Sequence, residues 1–261
     1  MYFRPKKYLG QNFLIDNNIQ RKIVDACGIT PGDTVLEVGA GRGELTKLLA
    51  LKTDKVFALE IDRNLSSILQ DNLSALPQVK VINQDVLQFN LLNFFKQSNR
   101  IKVVGNLPYY ITTPIIVHLL QFRDKIGSIF VTIQKEFAQR MAALEGSGDW
   151  GAFSCYLQYY TEPEILFYIK STCFRPRPKV DSAFVRLEIK RDLPLDVVRE
   201  KRLFRIIRSS FQQRRKTLRN SLKGVVSSSR IDRFLNQHNL DMNIRGEKLA
   251  LEDFINLLNV D

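Results

Sequence analysis

The chain has 261 residues, 44% hydrophobic and 25% charged, which is enough for one large domain plus a small one and excludes a disordered protein. Its net charge of +12 and pI near 9.7 point to a polyanionic partner. No apolar run approaches membrane-spanning length, no signal-peptide core follows the basic N-terminus, and three scattered cysteines with two histidines argue against a disulfide framework or a zinc site, so a reduced cytoplasmic protein without metal or membrane is expected.

A helical period runs from about Asn17 to Ala26 and closes at Gly28. Pro31-Gly32-Asp33 is a turn, and Thr34–Val38 is a short β-branched strand running into Gly39. Helix 44–51, strand 55–61, helix 64–73 and strand 79–83 follow. Strand 100–104 leads into Gly105-Asn106-Leu107-Pro108-Tyr109, and helix 113–121 opens with Pro114, which suits a first turn. Strand 126–134 is very apolar and is expected at the centre of the sheet. Strands alternating with helices predict an α/β fold, a parallel sheet covered on both faces. Two more strands, 165–169 and 183–189, could close that sheet as a hairpin.

After Lys190 the pattern changes. Asp192-Leu-Pro194 reads as a linker, and Leu203, Ile207, Phe211, Leu218 and Leu222 fall on one face of a predicted helix. Two helical stretches follow, near 230–237 and 249–258. Between Lys190 and Arg230 stand 13 Lys/Arg against 3 Asp/Glu, so the basic charge is concentrated here. The expected division is residues 1–189 as a binding or catalytic body and 190–261 as a small helical domain. Arg214, Arg215, Lys216, Arg219 and Lys223 are dense enough to read as phosphate contacts, the plain alternative being a solvated face.

Chemistry gathers at the strand ends. Leu36-Glu-Val-Gly39-Ala-Gly41-Arg-Gly43 joins the first strand to a helix; its Gly-x-Gly-x-Gly spacing differs from the dinucleotide fingerprint, and no Gly-Lys-Ser/Thr follows for a Walker loop. Glu60, ending the second strand, can accept both hydroxyls of a ribose, while Asp62 better suits a plain strand-end role. Asp85, ending the third, could accept from an adenine amine or simply cap a turn. Asn106 and the Leu107 carbonyl, held extended by Pro108, can accept from the exocyclic amine of a flat base, and Tyr109 offers a ring for stacking. The alternative is a strand end with a Pro turn. Gly39, Glu60, Asp85 and Asn106 thus end four strands in series, where parallel sheets bind ligands.

This order of residues resembles class I S-adenosylmethionine-dependent methyltransferases with a Rossmann-like sheet. More narrowly, nearly the whole chain resembles the rRNA adenine N6,N6-dimethyltransferase family. Lys7-Tyr-Leu-Gly-Gln11-Asn12-Phe-Leu14 is similar to the family's N-terminal segment, which implies that Gln11, Asn12 and Leu14 touch the cofactor. The resemblance assigns methionine to Gly39 and Gly41, ribose to Glu60, adenine to Asp85, and catalysis to Asn106-Leu107-Pro108-Tyr109, with Asn106 also beside the cofactor. Phe174-Arg-Pro-Arg-Pro-Lys-Val-Asp-Ser182 resembles the family's loop, implying that Phe174 and Tyr109 sandwich the base and that Arg175, Arg177 and Lys179 meet RNA. Leu107 and the Phe211-x-x-Arg-Arg-Lys-x-Leu218 stretch favour the branch that dimethylates two adjacent adenosines in the 3′-terminal hairpin of small-subunit rRNA. A monomer acting on the small ribosomal subunit or its precursor is implied. The rivals are a large-subunit rRNA methyltransferase, a DNA adenine methyltransferase, whose tetrads usually read Asp-Pro-Pro-Tyr or Asn-Pro-Pro-Tyr, and a non-catalytic RNA-binding assembly factor. Trp150 could be a lid element, but a packed loop is the expected reading.

Overall fold

A computed structural model describes residues 10–95, 100–213 and 215–260. They form two compact units, one of residues up to Ala138 with Glu164–Ile189, the other of Gln139–Pro163 with the residues from Lys190 onward.

The first unit opens with β1 (Phe13–Leu14), α1 (Asn17–Ala26), β2 (Val35–Val38), α2 (Glu44–Leu49), β3 (Val56–Glu60), α3 (Arg63–Leu73) and β4 (Val79–Asn83). It continues through α4 (Leu91–Phe94), β5 (Ile101–Asn106), α5 (Thr112–Leu120) and β6 (Ile126–Gln134). The chain then runs through α6 (Lys135–Met141) and α7 (Ala152–Tyr160) and returns by β7 (Thr161–Ile169), β8 (Phe174–Arg175) and β9 (Ser182–Ile189). The main sheet has the order β4-β3-β2-β5-β6-β9-β7; the first five strands are parallel and β9 is antiparallel to β6. This is the α/β, Rossmann-like class, and β6, with partners on both sides, is an interior strand.

Two features create a crevice. The chain steps outward from β2 to β3 and β4, then crosses back to β5 on the other side of β2, so the connections part at the carboxyl ends of β2 and β5. The register then aligns what those ends carry. Val38 lies beside Leu59 and Gly105, and Asn106 beside Thr132. Gly105 allows the close approach: a Cβ there would sit 2.8 Å from the Val38 carbonyl oxygen. Val35, Leu36, Val103 and Val104 are fully buried, as expected for parallel strands covered on both faces. Helix α1 starts at Asp16, whose carboxylate accepts from the Asn18 and Ile19 amides at 2.9 and 3.0 Å, and it buries Ile23 and Val24.

A second ladder joins distant segments. β1 pairs antiparallel with β8, Leu14 opposite Phe174 and Phe13 opposite Arg175, and Ile15 N–H donates to the Cys173 carbonyl at 2.8 Å. The sequence carries no sign of it, since each strand has two residues and some 160 positions separate them.

The second unit contains α8 (Val197–Gln212), α9 (Leu218–Ser221), α10 (Ser228–Gln237) and α11 (Leu251–Asn259). The single helix expected from Leu203 to Leu222 is two. Helix α8 stops at Gln212, and Thr217 caps α9 while the Leu218 amide donates to the Ile244 carbonyl at 2.7 Å. Arg215 and Lys216 therefore stand in a turn, not on a helix face. The division of units is also no single cut at residue 189, because Gln139–Pro163 belongs with the second unit. There Tyr159 and Tyr160 donate to the buried Glu200 carboxylate at 3.2 and 2.9 Å. Trp150, 1% exposed, donates from Nε1 to the Leu249 carbonyl at 3.0 Å, so it is a packed loop residue and not a lid.

Candidate active site

The crevice holds two adjoining cavities that share Phe13, Gly39, Gly41 and Asn106. The first is lined by residues 10–13, by Gly39 and Gly41, by Glu60, Ile61 and Leu65, and by Asn106–Tyr109. The second reaches Leu14, Gln20, Glu37 and Thr132. Gln11, Asn12, Gly39, Gly41, Glu60 and Asn106–Tyr109 are thus brought together, with Leu14 in the neighbouring cavity.

The glycine loop and β3 are locked to each other. Glu60 accepts from the Gly41 amide at 2.8 Å and from the Asp62 amide at 2.9 Å, one carboxylate oxygen each. Gly41 can aim its amide this way because its φ is +60°, a left-handed conformation that glycine adopts without strain, and a Cβ would press the Phe13 ring at 3.2 Å. Burial pushes the Glu60 carboxyl above its ordinary range, and the two amides oppose that by stabilising the anion. Each oxygen keeps lone-pair capacity for a further donor such as a hydroxyl.

Asn106 ends β5, and its Nδ2 donates to the Asn12 carbonyl at 2.8 Å. That bond fixes the sense of the amide and presents Oδ1, an acceptor, to the cavity. Leu107 is buried, its amide donating to the Thr132 carbonyl at 3.2 Å. The next turn draws on the Pro108 carbonyl, which accepts from the Ile111 amide and the Thr112 hydroxyl at 3.2 and 3.1 Å, rather than on that of Leu107. Tyr109 shares a 2.6 Å hydrogen bond with Ser182 Oγ at the start of β9, which pins the ring, and burial raises its phenol pKa.

Two expected members lie elsewhere. Phe174 is 3% exposed and packs in the core with Ile23, Val24 and Phe184, outside both cavity linings. The β1–β8 ladder explains this: side chains alternate along a strand, so Phe174 points inward and Arg175 outward. The base sandwich with Tyr109 is therefore corrected to a core role for Phe174. Asp85 accepts from the Leu87 amide at 2.9 Å as the cap of a short turn and lines neither cavity. Among the basic residues, Arg175, Lys179, Arg215, Lys216 and Lys223 are exposed; Arg177 donates from Nε to Ser171 Oγ at 3.1 Å, and Arg219 pairs with Asp232 at 3.0 Å. Arg214 lies outside the described residues, as do Lys7, Tyr8 and Leu9.

The structure adds residues that sequence reasoning missed. Phe13 lines both cavities, and Ile61, 49% exposed, follows Glu60 directly. An apolar residue left open just after a strand-end acid was the available signal. Glu37 is 2% exposed at the edge of the second cavity, and its Oε2 has no hydrogen-bond partner among the described residues. Burial raises its pKa to about 8; the Thr46 hydroxyl opposes this, and the nearby Glu44 and Glu60 add to it. A buried carboxylate with an unsatisfied oxygen fits a cationic ligand group.

The family model for ribosomal RNA adenine dimethylase matches residues 2–260. The chain is 46% identical over 267 residues to the ribosomal RNA small subunit methyltransferase A of Geobacillus thermodenitrificans strain NG80-2, covering 98% of this chain and 91% of that protein. It is similar to the solved structure of the 23S rRNA methyltransferase ErmE, with 26% identity, a TM-score of 0.77 and coverage of 95% and 98%. A dimethyladenosine transferase from Plasmodium falciparum matches with a TM-score of 0.79 at 24% identity, covering 94% and 95%.

Proposed function

The chain belongs to the ribosomal RNA adenine dimethylase family, and from that premise we propose that the crevice dimethylates N6 of two adjacent adenosines in the 3′-terminal hairpin of small-subunit rRNA. The protein is an S-adenosylmethionine-dependent rRNA adenine methyltransferase with a role in ribosome biogenesis. Its substrate is proposed to be the small subunit or its precursor, met by a monomer in the cytoplasm. No described helix is long and apolar enough to cross a membrane. The observation that carries the reading is the tethered Asn106 amide: its Nδ2 donates to the Asn12 carbonyl at 2.8 Å, which leaves Oδ1 as an acceptor for an exocyclic amine.

The residues fit the cofactor. Glu60 would take the ribose hydroxyls, with Ile61 and Leu65 beside the adenine. Gly39 and Gly41 would border the methionine, and the unsatisfied Glu37 oxygen would receive its ammonium. Gln11, Asn12 and Leu14 would close over it from the N-terminal segment. Asp85 would serve by holding the turn after β4. When bound, S-adenosylmethionine supplies a methyl group on a sulfonium.

Asn106 Oδ1 and the Leu107 carbonyl would accept the two N6 hydrogens. Adenine N6 is a poor nucleophile because its lone pair is delocalised into the ring. Two fixed acceptors favour the tetrahedral arrangement in which that lone pair is free and positive charge grows on nitrogen, a preorganised electrostatic effect. The proton on N6 would leave only once nitrogen carries the charge, so no histidine or carboxylate need remove it first. Tyr109, its ring held by Ser182, would stack on the flipped base, worth about 1–3 kcal/mol against an unstacking cost of a few kcal/mol. Pro108 sets the turn that presents both Leu107 and Tyr109. Arg175, Arg177 and Lys179 in the first unit, and Arg214, Arg215, Lys216, Arg219 and Lys223 in the second, would meet rRNA phosphates, Arg219 by exchanging its partner Asp232.

The test is tritiated methyl transfer to undermethylated small subunits and to undermethylated large-subunit rRNA, with modified sites mapped by primer extension. Label in the small-subunit 3′ hairpin is expected; label confined to large-subunit rRNA overturns the substrate.

Glu37 gives a separate expectation. Its ionised form attracts the ammonium, so affinity for S-adenosylmethionine should rise about tenfold per pH unit on approach to 8, until that ammonium begins to lose its own proton. Folding runs the other way: an acid raised above its unfolded value stabilises the fold at low pH and loses that contribution as pH climbs toward 8. The cofactor-free protein should therefore melt lower near pH 8 than about two units below. Calorimetric titrations and melts across pH check both trends, and Glu37→Gln should flatten them.

A further inference from the structure

The second unit holds a recess lined by three arginines, Arg202 and Arg205 on α8 and Arg230 on α10. Ile206, Val225, Val226, Ser227 and Leu258 complete it, and among the described residues no carboxylate lines it. The composition of α8 explains the imbalance. It carries Arg199, Lys201, Arg202, Arg205 and Arg208 against one acid, Glu200, which faces inward to Tyr159 and Tyr160.

Arg202 and Arg205 stand three residues apart, on one face of the helix. Both are exposed, and neither has an ion-pair partner among the described residues. Arg230 is half-buried and held: its Nε and Nη2 donate to the Leu257 and Leu258 carbonyls at 3.3 and 2.6 Å, in the last turn of α11. Two of its five N–H donors are engaged there, which leaves others for a ligand. Three like charges around one recess repel one another until an anion enters. Guanidinium forks match the oxygens of a phosphate group in geometry as well as charge.

We propose that Arg202, Arg205 and Arg230 form a phosphodiester-binding site for the rRNA backbone, distinct from the turn at Arg215 and Lys216. This rests on the reading of the chain as an rRNA methyltransferase. A concave recess fits a strand of phosphates better than a membrane, which would call for a flat basic face flanked by apolar residues that insert. About ten residues of α8 separate Arg202 from the turn, roughly 15 Å along its axis, so the two sets should act independently.

The experiment is binding of the full-length protein to undermethylated small ribosomal subunits over a salt series, comparing wild type with R202Q/R205Q. The slope of log K against log salt should fall by about 1.4–1.8 when two phosphates are no longer neutralised, with affinity at moderate salt lower by roughly tenfold or more. Cofactor affinity, the rate at saturating subunit and the melting temperature should not change. R202K/R205K, which keeps the charge, should keep the slope. An unchanged slope in R202Q/R205Q overturns the site, and so does a variant that binds subunits normally but loses binding to phosphatidylserine vesicles. Wild type that binds subunits yet methylates neither rRNA would refute the functional reading alone, since the slope still reports on the arginines.

Discussion

Asn106→Ala should slow methyl transfer by roughly 10²–10³-fold, the usual cost of removing one preorganised polar partner from a developing charge. The side chain has two roles: its Nδ2 holds the Asn12 carbonyl, and its Oδ1 is the proposed acceptor in the cavity that Asn106 lines. Alanine removes both, while the phosphate-facing arginines and lysines are untouched. Single-turnover transfer should therefore collapse while binding to small ribosomal subunits stays within a few-fold of wild type. Asn106→Asp separates the two engagements. It keeps an acceptor for the amine but sets a carboxylate against the Asn12 carbonyl, so it too should be slow. Near-normal turnover in Asn106→Ala would remove Asn106 from the proposed role.

Glu60→Ala should weaken S-adenosylmethionine binding by roughly 10–100-fold, as expected when a hydrogen-bonded charged partner worth about 1.5–3 kcal/mol is lost. A second consequence follows from its position. The Gly41 and Asp62 amides both donate to this carboxylate, so alanine leaves two donors without their acceptor in a buried place. The melting temperature should fall as well, and the glycine loop should loosen. Glu60→Gln retains one carbonyl oxygen and should bind the cofactor better than Glu60→Ala while still falling short of wild type. Isothermal titration with parallel melts resolves the two effects. Unaltered affinity in Glu60→Ala would mean that the ribose is held elsewhere.

The parallel sheet was legible because each buried strand is a short apolar run and ends in a residue with chemistry. Gly39, Glu60 and Asn106 announce the crevice by falling at successive strand ends, and the register sets them side by side. What could not be read were long-range pairings that leave no periodic trace. The two-residue strands at Phe13 and Phe174 are too short to show alternation, yet their pairing decides that Phe174 is core. Asp85 also does a local job that its position allows, since a carboxylate beside a free amide two residues on caps that amide. The break after α8 was hidden because apolar residues on both sides of Gln213–Thr217 fall into one helical phase by coincidence. Residues 139–163 were illegible for a different reason: the aromatic run of α7 has no clear polar face, and its partner Glu200 lies some forty positions away.

The tether on Asn106 also lets the site count. On the proposed geometry both partners of the exocyclic group, Oδ1 and the Leu107 carbonyl, are acceptors, so a base with a keto oxygen in place of the amine sets lone pair against lone pair and is turned away. An unmodified adenosine brings two hydrogens to Oδ1 and the Leu107 carbonyl, and the singly methylated base still brings one. The dimethylated base brings none and leaves both acceptors facing carbon. Recognition therefore ends when the substrate has no hydrogen left to give, and the reaction stops at two methyl groups without a separate device to sense completion.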